Sequence, residues 1–570
     1  MIAKMTWPAL AASVFLLTAC GGGGDDGASP AGPTGSVLSI GGTAATGAAI
    51  AGGAVEVKCA TGTGTATTAT NGSYAVSIAG GALPCALRVK IGTTVLHSVL
   101  AAGSSASVTA NITPLTELLV ARLSAGAPDT LFTTFDATAQ GRLTSAAVTA
   151  AIASTKAALA GAVDLTGIDP IKDALVAAAP GAAGNALDGL LDKLGAALAK
   201  AQISLDQLSA AIVAGGDTAQ PALTLLQPAA ASCAALHSGK YRVINPHETI
   251  DDPDSAAMLV NIDATALKVS ADGNTTDSIA LTPDPASACR FIYAGDFGTE
   301  VAMVSPSGVI AVLSPSVSGP IRTSLMIPEQ AIAVSALAGN WNYLGYLRDG
   351  KGPLAPVNGS AVIDANGKFV SGSECTTVTA CEAWGAPMLE GTLTVNPKGG
   401  FVNSVTKANP SRVFAFMTAE GAISMFILEP NEEGLTVFTQ QKTLALPAVG
   451  KVDKFWDFTV GSGAFRWAPT SGAQGVISAQ ITDSTTTVTS VDATAGSYLR
   501  RRESDERIDG FTVNQPRAGL RFRAAGNVPT KKGPIAAAAT VTMPLTGTGV
   551  TLGASVTPDQ NFFTVSVVHP

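Results

Sequence analysis

The residues of this 570-residue chain with the most chemistry to offer are seven cysteines, four histidines and five tryptophans. A zinc-thiolate centre is not expected, because no C-x-x-C pair occurs and His97, His237, His247 and His569 are scattered. His247-Glu248 begins like a metallopeptidase helix, yet the place of the second histidine is taken by Asp251. Around it Glu248, Asp251, Asp252 and Asp254 supply oxygens suited to calcium. Pro253 breaks that run and the spacing is not that of an EF-hand, so a solvated loop is expected. Asp272-Gly273-Asn274 and Asp364-Ala365-Asn366-Gly367 read as hairpin turns. There is no G-x-S-x-G elbow and no Gly-rich loop followed by Lys-Ser/Thr. The sequence therefore points to no catalytic residue, no metal and no cofactor.

Aromatic rings are the other resource, since exposed flat rings hold sugars and buried ones build cores. Trp341, Trp384, Trp456 and Trp467 lie in the second half, with Tyr343 and Tyr346 beside the first. Strand alternation puts Trp341 and Tyr343 on one face, and these two with Trp384 are the candidate ligand-binding residues. Aromatics are only 5% of the chain. Each ring is therefore valuable to a core, where burial contributes about 1.5 to 3 kcal/mol, and packing is the first expectation. A basic run, Arg500-Arg501-Arg502, is followed by Glu503, Asp505, Glu506 and Arg507. Its field is largely cancelled by these neighbours, so a solvated strand edge or loop is expected rather than a polyanion site.

The elements that must position these residues change character along the chain. In 37–112, "AVEVKCA" (Ala54 to Ala60) and "SYAVSIA" (Ser73 to Ala79) have the two-residue period of half-buried strands, and Asn71-Gly72 fits a hairpin turn. "CALRVKIG" (Cys85 to Gly92) supplies another strand. From 113 to 230 the period becomes helical. Thr113-Pro114 is a cap and first turn, followed by Leu115, Leu118, Leu119 and Leu123 on one face. Leu187, Leu190, Leu191, Leu194 and Leu198 repeat the spacing after Asn185, and Leu205, Leu208 and Ile212 after Ser204. Asp169-Pro170 is expected to start a further short helix.

Strands return at Cys233, now with a weak internal repeat. "LHSGKYRVI" (Leu236 to Ile244) parallels "LAGNWNYLGY" (Leu337 to Tyr346), each with an aromatic two places after glycine. Three strand–turn–strand stretches close the blocks: Val301 to Pro315, Val413 to Ile427 and Leu552 to Val568. The expected architecture is multidomain and mainly β. It comprises an N-terminal β-sandwich (37–112), an α-helical middle (113–230) and C-terminal repeated β-modules, barrel- or sandwich-like, at 233–329, 336–443 and 450–570.

Hydrophobic residues make up 46% and the mean hydropathy is +0.33, which looks membrane-like. The apolar run from Trp7 to Ala19 spans about 20 Å as a helix, short of the roughly 30 Å hydrocarbon core, and reads as a secretory signal. Net charge of -8 disfavours nucleic acid as a partner.

Leu17-Thr18-Ala19-Cys20 resembles the lipobox of bacterial lipoproteins. The resemblance implies a signal peptide over 1–19, cleavage after Ala19, lipidation of Cys20 and a Gly-rich tether over 20–36. With Gly21 rather than aspartate after the cysteine, it implies the outer membrane of a Gram-negative bacterium, on its periplasmic or outer face, with the membrane engaged through the lipid. "GAAIAGGAVEVKC" and "TATNGSYAVSI" resemble the carboxypeptidase-regulatory-like, transthyretin-type sandwich, through Gly47, Ile50, Gly53, Ala54, Val57, Thr70, Asn71, Gly72 and Tyr74. Members of that family are non-catalytic spacers or binding platforms. Gly339-Asn340-Trp341 resembles the G-x-W of lipocalin-like barrels.

With Cys20 set aside, Cys59, Cys85, Cys233, Cys289, Cys375 and Cys381 form an even set, as expected of disulfides in an exported chain. Placement suggests three local pairs in chain order. The expected function is a non-enzymatic surface or periplasmic lipoprotein that binds glycan, a small ligand or a protein partner through its β-modules. The alternative is a surface hydrolase with an acidic site in the C-terminal half.

Overall fold

The computed structural model describes residues 36–570, except 125–126, 180, 202, 215–221, 246–256, 275, 296–297, 315–321, 349–353, 404–410, 429–432, 461–480 and 558–561. Cys20 with its signal and tether, His247 with its acidic cluster, and Trp467 lie outside the described residues. The chain is mainly β, with helices confined to one stretch and short excursions. No helix among the described residues is long and apolar enough to cross a membrane.

Near the N-terminus two sheets face each other. Val37–Thr43 pairs with Ser73–Ala79 and Ser107–Thr109. Ala54–Thr61 pairs with Thr63–Thr67 and with Ala82–Ile91, which Thr94–Leu100 extends. Alternation dictates the inward faces: Tyr74, Val76 and Ile78 are buried while Ala75 and Ser77 are exposed. They meet Val55, Val57 and Leu87 of the other sheet in one core.

The helix Pro114–Leu123 follows, with Thr113 and Thr116 in reciprocal capping bonds. Leu119 and Val120 pack on the paired sheets, whereas Leu115 and Leu118 face the leucines of Ala186–Ala201 and Leu205–Ala214. The three leucine stripes are thus core, packed on one another and, through Leu119, on the sheets. The helix expected at Asp169-Pro170 is instead a single turn, in which Asp169 Oδ1 accepts the N–H groups of Ile171 (3.0 Å) and Lys172 (3.2 Å). Asn111 explains the stop. It bonds the carbonyls of Ile171, through its backbone N–H, and Asp173, through its side chain, which a continuing helix needs as acceptors.

The C-terminal half contains three rolled meanders, each closed by pairing its opening strand with its last. In the first, Gly239–Ile244 pairs with Arg322–Pro328, leaving a seam between Ile279–Ala280 and Thr282–Pro283. In the second, Gly339–Arg348 pairs with Glu433–Gln440, and the seam lies between Cys381–Ala383 and Leu393–Val395. The third is a fully closed eight-stranded barrel running from Val452–Val460 to Phe563–Val568.

The sequence repeat has a structural counterpart. Gly239 and Gly339 open their strands at φ +148° and +141°, which side-chain-bearing residues rarely adopt. Two residues on, buried Tyr241 donates its hydroxyl to the His237 carbonyl at 3.0 Å, and buried Trp341 donates Nε1 to the Leu337 carbonyl at 3.0 Å. Each aromatic donor reaches four residues back and closes one end of its sheet.

Ile310–Ser314, Ser411–Met417 and Ile423–Leu428 are buried at every position. Continuous apolar runs of this kind belong to strands covered on both faces. One face lines a lumen and the other meets a neighbouring sheet, so Phe414 and Phe426 of the second sheet and Leu552 and Val565 of the third share one core with the first. Turns meet there too: Ser307 Oγ donates to the Thr548 carbonyl at 2.9 Å, and Thr548 is fully buried. Cys59–Cys85, Cys233–Cys289 and Cys375–Cys381 are disulfides.

Candidate ligand-binding lumens

The first rolled sheet is hollow. Its lumen encloses a cavity of about 160 Å³, where roughly 10 to 15 Å³ suffices for one water. Val243, Val260, Phe291, Val312 and Met326 give it apolar walls, and Tyr293, Glu300 and Asn245 add polar groups. Asn245 accepts a hydrogen bond from Ser324 Oγ at 3.3 Å. Glu300 is buried, and its carboxyl sits over Gly295, where an added Cβ would lie 2.3 Å from Glu300 Cδ. The lumen is therefore an apolar slot with a carboxyl and amide group near the ends of Arg290–Gly295 and Gly239–Ile244.

The second sheet has the same topology and a filled lumen. Trp341 is wholly buried. Tyr343 stacks on Phe438 with ring centroids 5.0 Å apart and lies 5.9 Å from the half-buried Trp384. Gly359 makes room for the tyrosine, since a Cβ there would come 2.3 Å from its ring, and Gly372 does the same for Trp384 at 2.2 Å. Tyr343 also donates to the Ser373 carbonyl at 3.0 Å, and burial pushes its hydroxyl pKa well above the usual range. Trp341, Tyr343 and Trp384 are thus brought together as packing in one buried cluster.

The third barrel has a polar lumen. Asp457 is half-buried, accepts a hydrogen bond from Ser566, and has its carboxyl pKa raised by desolvation. For Asp509, burial pulls the pKa upward, but Arg507 and Arg523 outweigh it and hold the carboxyl below its ordinary value. Arg507 and Arg523 both reach Asp509 at 2.8 Å. Each carboxylate is therefore committed to its own partner, and no ion pair or hydrogen bond joins the two.

Among the described residues, no group of three or more His, Cys, Asp and Glu side chains is arranged to hold a metal. His97 sits between Glu117 (2.9 Å) and Asp129 (3.2 Å), with Arg88 reaching Asp129 at 2.7 Å and Glu56 at 2.9 Å. Burial pulls Asp129 upward, but the hydrogen bonds and charges of Arg88 and His97 hold it low. This cluster ties the paired sheets to helices Pro114–Leu123 and Pro128–Thr133. His237 bonds the Gln227 carbonyl, and His569 packs on Trp456.

The lining of the first lumen escaped the sequence reading. Its residues are ordinary strand aliphatics, and the available signal was an absence: the first repeat carries Val243 where the second carries Tyr343.

No family model matches the chain, and no curated protein matches it either. Among solved structures, one similarity is to the crystal structure of the isotype 1 transferrin binding protein B from serogroup B Neisseria meningitidis. It has 8% identity and a TM-score of 0.15, and covers 55% of this chain and 64% of that one, less than two thirds of its length. So faint a likeness adds nothing to the reading of this chain's function.

Proposed function

We propose that this chain is a non-enzymatic binding lipoprotein of the outer membrane that carries a small, largely apolar ligand in the lumen of its first rolled sheet. The single observation behind this reading is the hollow, valine-lined cavity in one of two sheets of identical strand order. Concave apolar sites with a few convergent polar groups are the usual form of small-ligand pockets. The Glu300 carboxyl favours a ligand whose polar end donates hydrogen bonds, an amine, amide or alcohol, over one ending in a carboxylate.

Anchoring is proposed at Cys20 from its lipobox, with the paired N-terminal sheets as a transthyretin-type spacer. Glycan or protein partners remain for the outer faces of the sheets.

Native mass spectrometry of the chain purified from membranes tests the reading, read beside uptake of the neutral amine probe N-phenyl-1-naphthylamine. A co-purifying apolar adduct, displaced by the probe, is the expected result. An empty protein that takes up no probe refutes the carrier. Partitioning of Cys20→Ser tests the anchor separately: release from the membrane fraction is expected, and undiminished retention refutes it.

A further inference from the structure

We propose that the third barrel holds a second ligand of opposite character: a small organic oxyanion, carboxylate or phosphate, bound between Arg500 and Arg521. A cavity of about 130 Å³ lies at one end of this barrel, lined by Lys451, Asp453, Tyr498, Arg500 and Arg521 together with aliphatic side chains.

Among the described residues, two guanidiniums face the cavity without a direct carboxylate partner, although Arg500 also feels the charge of Asp457. Strand alternation splits the basic run, leaving Arg501 exposed while Arg500 faces the lumen. Arg502 is occupied by Asp505 at 2.9 Å, Arg507 and Arg523 share Asp509, and Lys451 pairs with Asp453 at 3.0 Å. Arg500 lies over the rings of Phe455 and Phe511 at 5.3 and 5.0 Å. Among the described residues neither Arg500 nor Arg521 has a carboxylate within ion-pairing distance. Two half-buried guanidiniums facing one cavity call for a counter-ion, and each presents a fork that fits a carboxylate or phosphate edge.

A second observation points the same way. Thr486 and Thr542 hold buried hydroxyls with no hydrogen-bond partner, as does Arg523 at Nε. In the register Thr486 stands opposite Asp453, and Thr542 opposite Arg521, each beside a residue that lines the cavity. Thr486 is only 3% exposed. Buried hydroxyls without partners are uncommon. Val488, Val513 and Tyr498 give the cavity an apolar wall, which fits an anion with a short apolar body.

Calorimetric titration of the full chain at constant ionic strength tests this, with benzoate, phenyl phosphate and the neutral benzamide as probes. Binding of at least one anion, with benzamide silent, is expected, and the better anion names the head group. Arg521→Gln should weaken that binding about tenfold or more, while naphthylamine uptake by the first lumen and the thermal midpoint stay unchanged. Should Arg521→Gln not fold, Arg521→Lys keeps the charge and loses the fork, and a several-fold weakening is expected. Neither anion binding above the chloride control overturns the proposal. So does undiminished affinity in the arginine variants, or equal binding of benzamide.

Discussion

The first and second rolled sheets share strand order, closure and the aromatic donor that seals one end, yet one holds a cavity where the other holds stacked rings. The difference traces to facing positions. Val243 stands opposite Met326 in the first sheet, and Tyr343 opposite Phe438 in the second. Both pairs lie two residues beyond the sealing aromatic. Trp384, next to the Cys375–Cys381 loop, completes the filling of the second lumen. One scaffold thus yields a container or a structural plug, according to the volume at two opposed positions, and backbone topology alone does not determine function.

That comparison can be broken most sharply by exchanging the pairs. Val243→Tyr combined with Met326→Phe should abolish naphthylamine uptake, a loss of about 100-fold or more in affinity, since ring volume replaces ligand volume. Retained far-ultraviolet circular dichroism would show that the sheet persists. In the other direction, Phe438→Ala removes the ring that Tyr343 stacks on, and a loss of about 3 to 5 kcal/mol is expected in urea unfolding. A cost below about 1 kcal/mol would mean that the second lumen is not truly packed.

The disulfides sharpen the same contrast. Cys233–Cys289 spans 56 residues and Cys375–Cys381 spans 6. On loop-entropy grounds, replacing each pair with serines should cost about 4 and about 2 kcal/mol respectively, measured by chemical denaturation. Equal costs would place the stabilisation in native contacts instead. At the sealed ends, Tyr241→Phe removes only the bond to His237 and should cost about 1 kcal/mol, with probe uptake unchanged.

The smallest effect is expected at Asp457. Its folded pKa is raised above the ordinary 3.8 by burial. The unfolded chain therefore releases this proton first, and stability falls as pH rises through that value. Asp457→Asn should stabilise the protein at neutral pH, with the gain vanishing below about pH 4. A gain that persists in acid would locate its origin elsewhere.

Much of the fold was legible because its signals are local. The periods at Ser73–Ala79 and Pro114–Leu123 and the glycine–aromatic repeat each need only a few neighbouring residues, whereas the hairpin expected at Asn71-Gly72 is instead a turn between strands of different sheets, Thr63–Thr67 and Ser73–Ala79. The Asp169 turn was misread because the residue that ends it, Asn111, lies far away in sequence. The lumens were hidden for a related reason. Whether Val243 meets Met326 depends on register across the closing strands, and whether Arg500 faces inward depends on parity, in a strand whose partner carries a bulge between Val488 and Ser490. Low aromatic content rightly marked Trp341 and Tyr343 as core, but it could not show that the functional opening lay in their absence one repeat earlier.

Closure of each sheet by its first and last strands also sets the timing of biosynthesis. A chain that emerges N-terminus first exposes Gly239–Ile244 long before Arg322–Pro328 exists to complete it, and the wait recurs at Gly339–Arg348 and Val452–Val460. Through each interval an unpaired edge stands open to foreign strands. No rolled sheet can be finished piecemeal, so the nascent polypeptide passes through three successive windows of vulnerability, each of which shuts only when its final hairpin arrives.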